Sequence, residues 1–213
     1  MVGALLYRLL PRYSRHMPKS ILETWADKVN GSGVPVPIVR QETNYTCGPA
    51  VMVAVLRYFG VPAIEHQLAT EAGTTEDGTS FEAIVEVLRS HGMDVTARDD
   101  LSIGEIRRLL SVGQAVIIAL QAWDDPRPIG GYSGEWNSGH YVVPVAVNND
   151  SILFEDPAIA ARRTYLTHDE FLSRWHSIDS DGVYGQGYGL VVTHNVPILH
   201  SELKTLPPAV RMG

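Results

Sequence analysis

Cysteine is almost absent: Cys47 is the only one in 213 residues, so no intramolecular disulfide can form. That excludes a disulfide-stapled scaffold and fits a reducing, cytoplasmic setting, where a reactive thiol survives longer. Positive charge is also scarce, with 17 Lys+Arg against 24 Asp+Glu and a net charge of −7. A broad nucleic-acid surface needs clustered cations to displace counterions, so nucleic acid is not an expected partner. No apolar run is long enough to span a bilayer, and there is no internal repeat and no low-complexity segment.

Hydrophobic residues make up 45% of the chain, enough for one globular domain with a substantial core. Leu5, Leu6, Leu9 and Leu10 share one helical face and Pro11 ends or kinks the segment. This permits a short amphipathic helix that packs on the domain or meets a partner or a membrane surface. Arg8, Arg12, Arg15 and Lys19 lie within or after the apolar part and no small-residue cleavage pattern follows, which disfavours a secretory signal. Asn30 to Pro37 is rich in turn-formers and reads as a linker. The expected organisation is an N-terminal helical extension and linker over 1–33, a main domain over 34–200 and a tail over 201–213.

Within the domain, apolar spacing and terminators predict helices over 47–59, 64–72, 80–91 and 103–112, then one over 167–175. Thr167 and Glu170 match a capping box at the start of the last. Strands are expected over 94–98, 115–120, 140–147, 151–155, 162–166 and 188–193, with an edge or a bulge at Pro144. Helices that mostly precede strands point to an α+β fold, a helical half packed on a sheet half with a cleft between.

Cys47 lies directly ahead of the first of these helices, in Gln41-Glu-Thr-Asn-Tyr-Thr-Cys47-Gly-Pro-Ala50. A thiol at a helix start meets unpaired N–H groups and the positive end of the macrodipole, and both favour the thiolate. Gln41 could supply one donor of an oxyanion hole and the Cys47 N–H the other. Such a nucleophile needs a base and a group that orients the base. Eight histidines compete. His140 begins a strand after Gly139, and Asp156 ends the next strand, so a hairpin around Asn148–Asp150 brings the two side by side. His16, His66, His91, His168, His176, His194 and His200 lack such a neighbour and read as solvent-facing or structural.

Gln41-x5-Cys47-Gly-Pro-Ala50, Gly73-Thr, Gly78-Thr-Ser80, Gly139-His-Tyr-Val-Val143, Asp156-Pro157 and Glu170-Phe-Leu-Ser-Arg-Trp175 together resemble the bacteriocin-processing cysteine peptidases, family 39 of the papain clan. The resemblance spans about residues 36–193. It implies a papain-like fold, with Cys47 as nucleophile, His140 as base and acid, Asp156 as its orienter and Gln41 as an oxyanion donor. Family members fused to export transporters cleave leader peptides after a double glycine. No transporter spans or P-loop follow the domain here, so a free-standing relative is the better match.

The expected activity is therefore a thiol-dependent hydrolase acting on a peptide or amide, with no cofactor and no metal. The same thioester could instead pass to an amine or thiol in acyl transfer, and a non-catalytic peptide-binding module is the reading from a different class. Trp123 and Trp136 bound a long loop that ends at the base, so Trp123, Trp136 and Gly139 are candidate substrate contacts. Asp179-Ser-Asp-Gly182 lacks most ligands of a calcium loop and reads as a turn.

Overall fold

The computed structural model describes residues 33–124, 128, 131–160, 162–179, 182–195 and 209–213. The expected N-terminal helix lies outside these residues. The first described helix, α1 (Cys47–Tyr58), buries every side chain except Arg57. Its density of Val, Ala, Leu and Met leaves no polar face, so it forms the centre of the helical half rather than a surface helix. Arg57 at its last turn donates to the Ala63 carbonyl (2.9 Å), and Tyr58 donates its hydroxyl to the Gly113 carbonyl (3.1 Å).

Helices α2 (Glu65–Glu71) and α3 (Phe81–Ser90) follow. The α3 stripe of Phe81, Ile84, Val87 and Leu88 is buried, and the Ser80 side chain caps the helix by accepting from the Ala83 N–H. Strand β1 (Asp94–Arg98) leads to α4 (Ile103–Ser111), capped in the same way by Ser102. Then come β2 (Ala115–Gln121), β3 (Gly139–Val147), β4 (Ser151–Glu155), β5 (Arg163–Thr167) and α5 (His168–Arg174), which opens on the expected Thr167/Glu170 capping box. A small hairpin of β6 (Ser177–Ile178) and β7 (Val183–Tyr184) precedes β8 (Gly189–Thr193) and β9 (Ala209–Arg211).

Seven strands form one sheet in the order β1-β8-β2-β3-β4-β5-β9. All pairs are antiparallel except β5 with β9. The fold is α+β, with α1 packed against β3 at the centre of the sheet. Pro144 lies in this central strand, and the register with β4 shifts between Pro144 and Ala146. A residue without an N–H cannot complete the ladder, and the bulge absorbs the defect. β9 falls in the segment read from sequence as a tail, and it closes the sheet edge beside β5.

The stretch that leads to Gln41 is pinned to the β3/β4 end of the sheet. Val34 donates to the Val145 carbonyl (2.9 Å), and the Gln41 N–H donates to the Pro157 carbonyl (3.0 Å). Between them a buried ion pair joins Glu155 to Arg163, and Arg163 also donates to the Val36 carbonyl. Glu155 accepts the Val39 N–H (2.6 Å). Burial pushes the Glu155 carboxyl up to about 7, against the Arg163 charge and the Val39 N–H, which pull it down. Removing the cation leaves a buried acid without its counter-charge. Arg163→Met is therefore expected to lower stability by about 3–5 kcal/mol, read as a shift of the urea unfolding midpoint at neutral pH.

Candidate active site

Cys47 is the first residue of α1, and the residue before it does not cap the helix with its side chain. The Thr46 hydroxyl instead accepts the Thr43 N–H (3.0 Å). No acidic side chain occupies the first turn, so nothing there competes with an anion. Pro49 is tolerated because an N–H in this turn would have no helical partner. Gly48 is required by contact: a Cβ on it would stand 2.8 Å from Thr79 Cβ. The Gly73–Ser80 loop thus presses onto the helix start, and Thr79 is fixed there by the Tyr141 hydroxyl, which donates to its carbonyl (2.9 Å).

His140 is the second residue of β3, buried, and its Nε2 lies 2.7 Å from Asp156 Oδ1. A carboxylate can only accept, so Nε2 carries the proton and Nδ1 is left for the thiol. Cys47 and His140 line the same cleft. Burial pushes the Cys47 thiol up, but the neighbouring His140 and the backbone at Tyr141 and Gly48 outweigh it and hold the thiol below its ordinary value. Burial likewise pushes His140 down, and the Asp156 charge and bond, with the thiolate, carry it well above the usual imidazole range. Asp156 is itself held low: burial raises it, while the His140 charge, the His140 bond and the Ala158 N–H lower it. The Ala158 N–H donates to Oδ1 at 2.9 Å. The shifts at Cys47, His140 and Asp156 all run toward the charged form of each group.

Gln41 is buried, and its Nε2 donates to the Thr43 carbonyl (2.6 Å). One N–H of that amide is thus committed and the second is not needed by the bond. Cys47 and His140 open onto a cleft of about 260 Å³ whose walls include Thr79, Trp136, Gly139 and Ile178. Two of the three candidate substrate contacts, Trp136 and Gly139, therefore border the cleft. Trp123 stands behind the histidine and donates its indole N–H to Asp156 Oδ2 (3.2 Å). Asp179 also lines the cleft, and its carboxylate accepts the Phe81 and Gly182 N–H groups.

A buried Gln121, the last residue of β2, goes unnoticed in the sequence. Its amide donates to the His176 carbonyl (3.0 Å) and accepts the Ser138 N–H (2.9 Å). It thereby fixes the loop entering Gly139 and the chain entering β6, on two sides of the cleft. The available signal was a polar residue immediately after the apolar run Ala115–Leu120.

A profile of the peptidase C39 family matches residues 35–178 of the chain. The chain belongs to the peptidase C39 family. An uncharacterized protein of Methanothermobacter marburgensis is 34% identical over 127 residues, which are 59% of this chain and 75% of that protein. The lactococcin transport/processing ATP-binding protein LcnC-like of Lactococcus lactis is 27% identical over 146 residues, 65% of this chain but 18% of that protein. Among solved structures, the peptidase domain of Streptococcus ComA aligns with a TM-score of 0.58 at 19% identity, covering 75% of this chain and 99% of that domain. A putative C39-like peptidase from Bacillus anthracis gives 0.57 at 15% identity over 77% of this chain and 97% of that one. A double glycine motif protease from an AMS/PCAT transporter, in complex with a leader peptide, gives 0.54 at 19%, over 77% and 95%. These likenesses establish the papain-like C39 fold.

The contact between the Gly73–Ser80 loop and α1 makes a direct prediction. Gly48→Ala forces Thr79 away from the helix start, and overpacking of this kind costs about 1–3 kcal/mol. Its thermal midpoint is expected to fall in a melt monitored by circular dichroism.

Proposed function

We propose that this C39 family member is a cysteine peptidase that cleaves a peptide or amide bond through Cys47, His140 and Asp156. The observation that carries this reading is the buried bond between His140 and Asp156, with Cys47 and His140 lining one cleft. The peptide complex of the AMS/PCAT transporter protease supports a peptide as the class of substrate. The domain carrying the reaction is taken as residues 34–200, and the lone thiol fits a reducing cytoplasm.

In this mechanism the Cys47 sulfur attacks the carbonyl carbon and the carbonyl oxygen becomes an oxyanion. The Cys47 backbone N–H and the second N–H of the Gln41 amide receive it. As the C–N bond breaks, the His140 imidazolium passes its proton to the leaving amine and a thioester remains on Cys47. His140, now neutral, takes a proton from water as the water oxygen attacks the thioester, and the acid product leaves with the thiolate restored. Asp156 keeps the Nε2–H bond throughout and stabilises the charged imidazole.

Cys47→Ala is expected to abolish cleavage in a peptide-library screen, and Gln41→Ala to lower turnover by about 10²–10³-fold. Alkylation separates this reading from an inert binding module. A Cys/His ion pair reacts rapidly with iodoacetamide near pH ~6, whereas an isolated thiol with pKa about 8.5 is slow there. Slow alkylation that His140→Ala leaves unchanged contradicts the proposal.

A further inference from the structure

Trp123 is the one non-glycine residue among those described with a positive φ, at 67°. A bulky L-residue in this region is strained and stays there only when its surroundings hold it. The surroundings are specific. Gly213 packs so closely on the indole that a Cβ on it would stand 2.6 Å from the ring carbons. The Gly213 carbonyl is within reach of the Trp123 N–H (3.4 Å) and accepts from the Arg174 guanidinium (2.7 Å). Arg174 is buried at the end of α5 and lies over the Tyr132 ring (4.1 Å), whose hydroxyl accepts the Asp124 N–H (3.2 Å). Both peptide groups around the strained residue are therefore anchored.

The result of this clamp is one bond, from the indole N–H to Asp156 Oδ2. The other carboxylate oxygen, Oδ1, serves His140 and also accepts the Ala158 N–H (2.9 Å). A carboxylate held only at Oδ1 can still turn about its Cβ–Cγ bond, but one held at both oxygens presents a fixed lone pair to the imidazole. From these contacts we infer that Trp123 is a positioning residue of the triad: it locks Asp156, and the segment Ala209–Gly213 locks Trp123. This rests on the triad reading above. It gives Trp123 a role other than the substrate contact expected from the sequence. The donor also favours ionised Asp156, so its loss weakens support for the imidazolium and hence for the thiolate.

The test compares iodoacetamide alkylation of Cys47 across pH in the full chain for wild type, Trp123→Phe and a chain with benzothienylalanine at position 123 alone. The last keeps the shape of the ring and replaces its N–H by sulfur, so it separates the hydrogen bond from the packing. Urea midpoints identify any variant that fails to fold. The expected result is rapid alkylation of wild type near pH ~6 and an acid limb displaced upward by about one pH unit in both variants, a roughly tenfold loss of thiolate at fixed pH. If wild type reacts quickly at that pH and the folded benzothienylalanine protein keeps its profile, the role of Trp123 is overturned while the triad stands. If wild type itself reacts as an ordinary thiol, the triad reading fails and this inference fails with it.

Discussion

The bond from His140 Nε2 to Asp156 Oδ1, at 2.7 Å, is the constraint on which the site depends. It fixes the imidazole tautomer, turns Nδ1 toward the thiol and places a full negative charge where an imidazolium must be stabilised. The β3/β4 hairpin makes it possible by bringing residues 16 apart in sequence to one end of the sheet. The same end is braced from outside. Pro157, next to Asp156, accepts the Gln41 N–H and the Arg40 guanidinium, so the strand end and the approach to α1 are tied together.

Burial is what gives this arrangement its chemistry. Taking a thiolate, an imidazolium and a carboxylate out of water opposes ionisation of each, and each then persists only through its neighbours. Backbone donors contribute beside side chains: the Ala158 N–H donates to the carboxylate. A helix start free of acidic residues and side-chain caps leaves its positive end to the sulfur. The Glu155–Arg163 pair works on the opposite face of the same hairpin, holding the Val34–Arg40 stretch rather than any reacting group.

What could be read from the sequence was local or periodic. The capping box at Thr167, the burial of α1 on most sides, the bulge at Pro144 and the approach of Asp156 to His140 all follow from spacing within one element or one hairpin. What could not be read depends on contacts distant along the chain or on groups that every residue carries. Tyr141 looks like any strand aromatic, yet its hydroxyl holds Thr79 against the start of α1. Strand β9 has a parallel partner more than forty residues away and no pattern of its own. Trp123 sits at the edge of a loop that sequence offers as a candidate substrate wall, and neither its φ of 67° nor its bond to Asp156 has a local sequence signal.

In the proposed mechanism Cys47 rests as a thiolate paired with the His140 imidazolium while buried in the fold. Ultraviolet absorbance of the thiolate, taken as the difference between wild type and Cys47→Ala across pH, measures this without substrate or reagent. Thiolate absorbance is expected to persist below pH ~6, well under the ordinary thiol value of about 8.5. Absorbance that develops only near that ordinary value would contradict it.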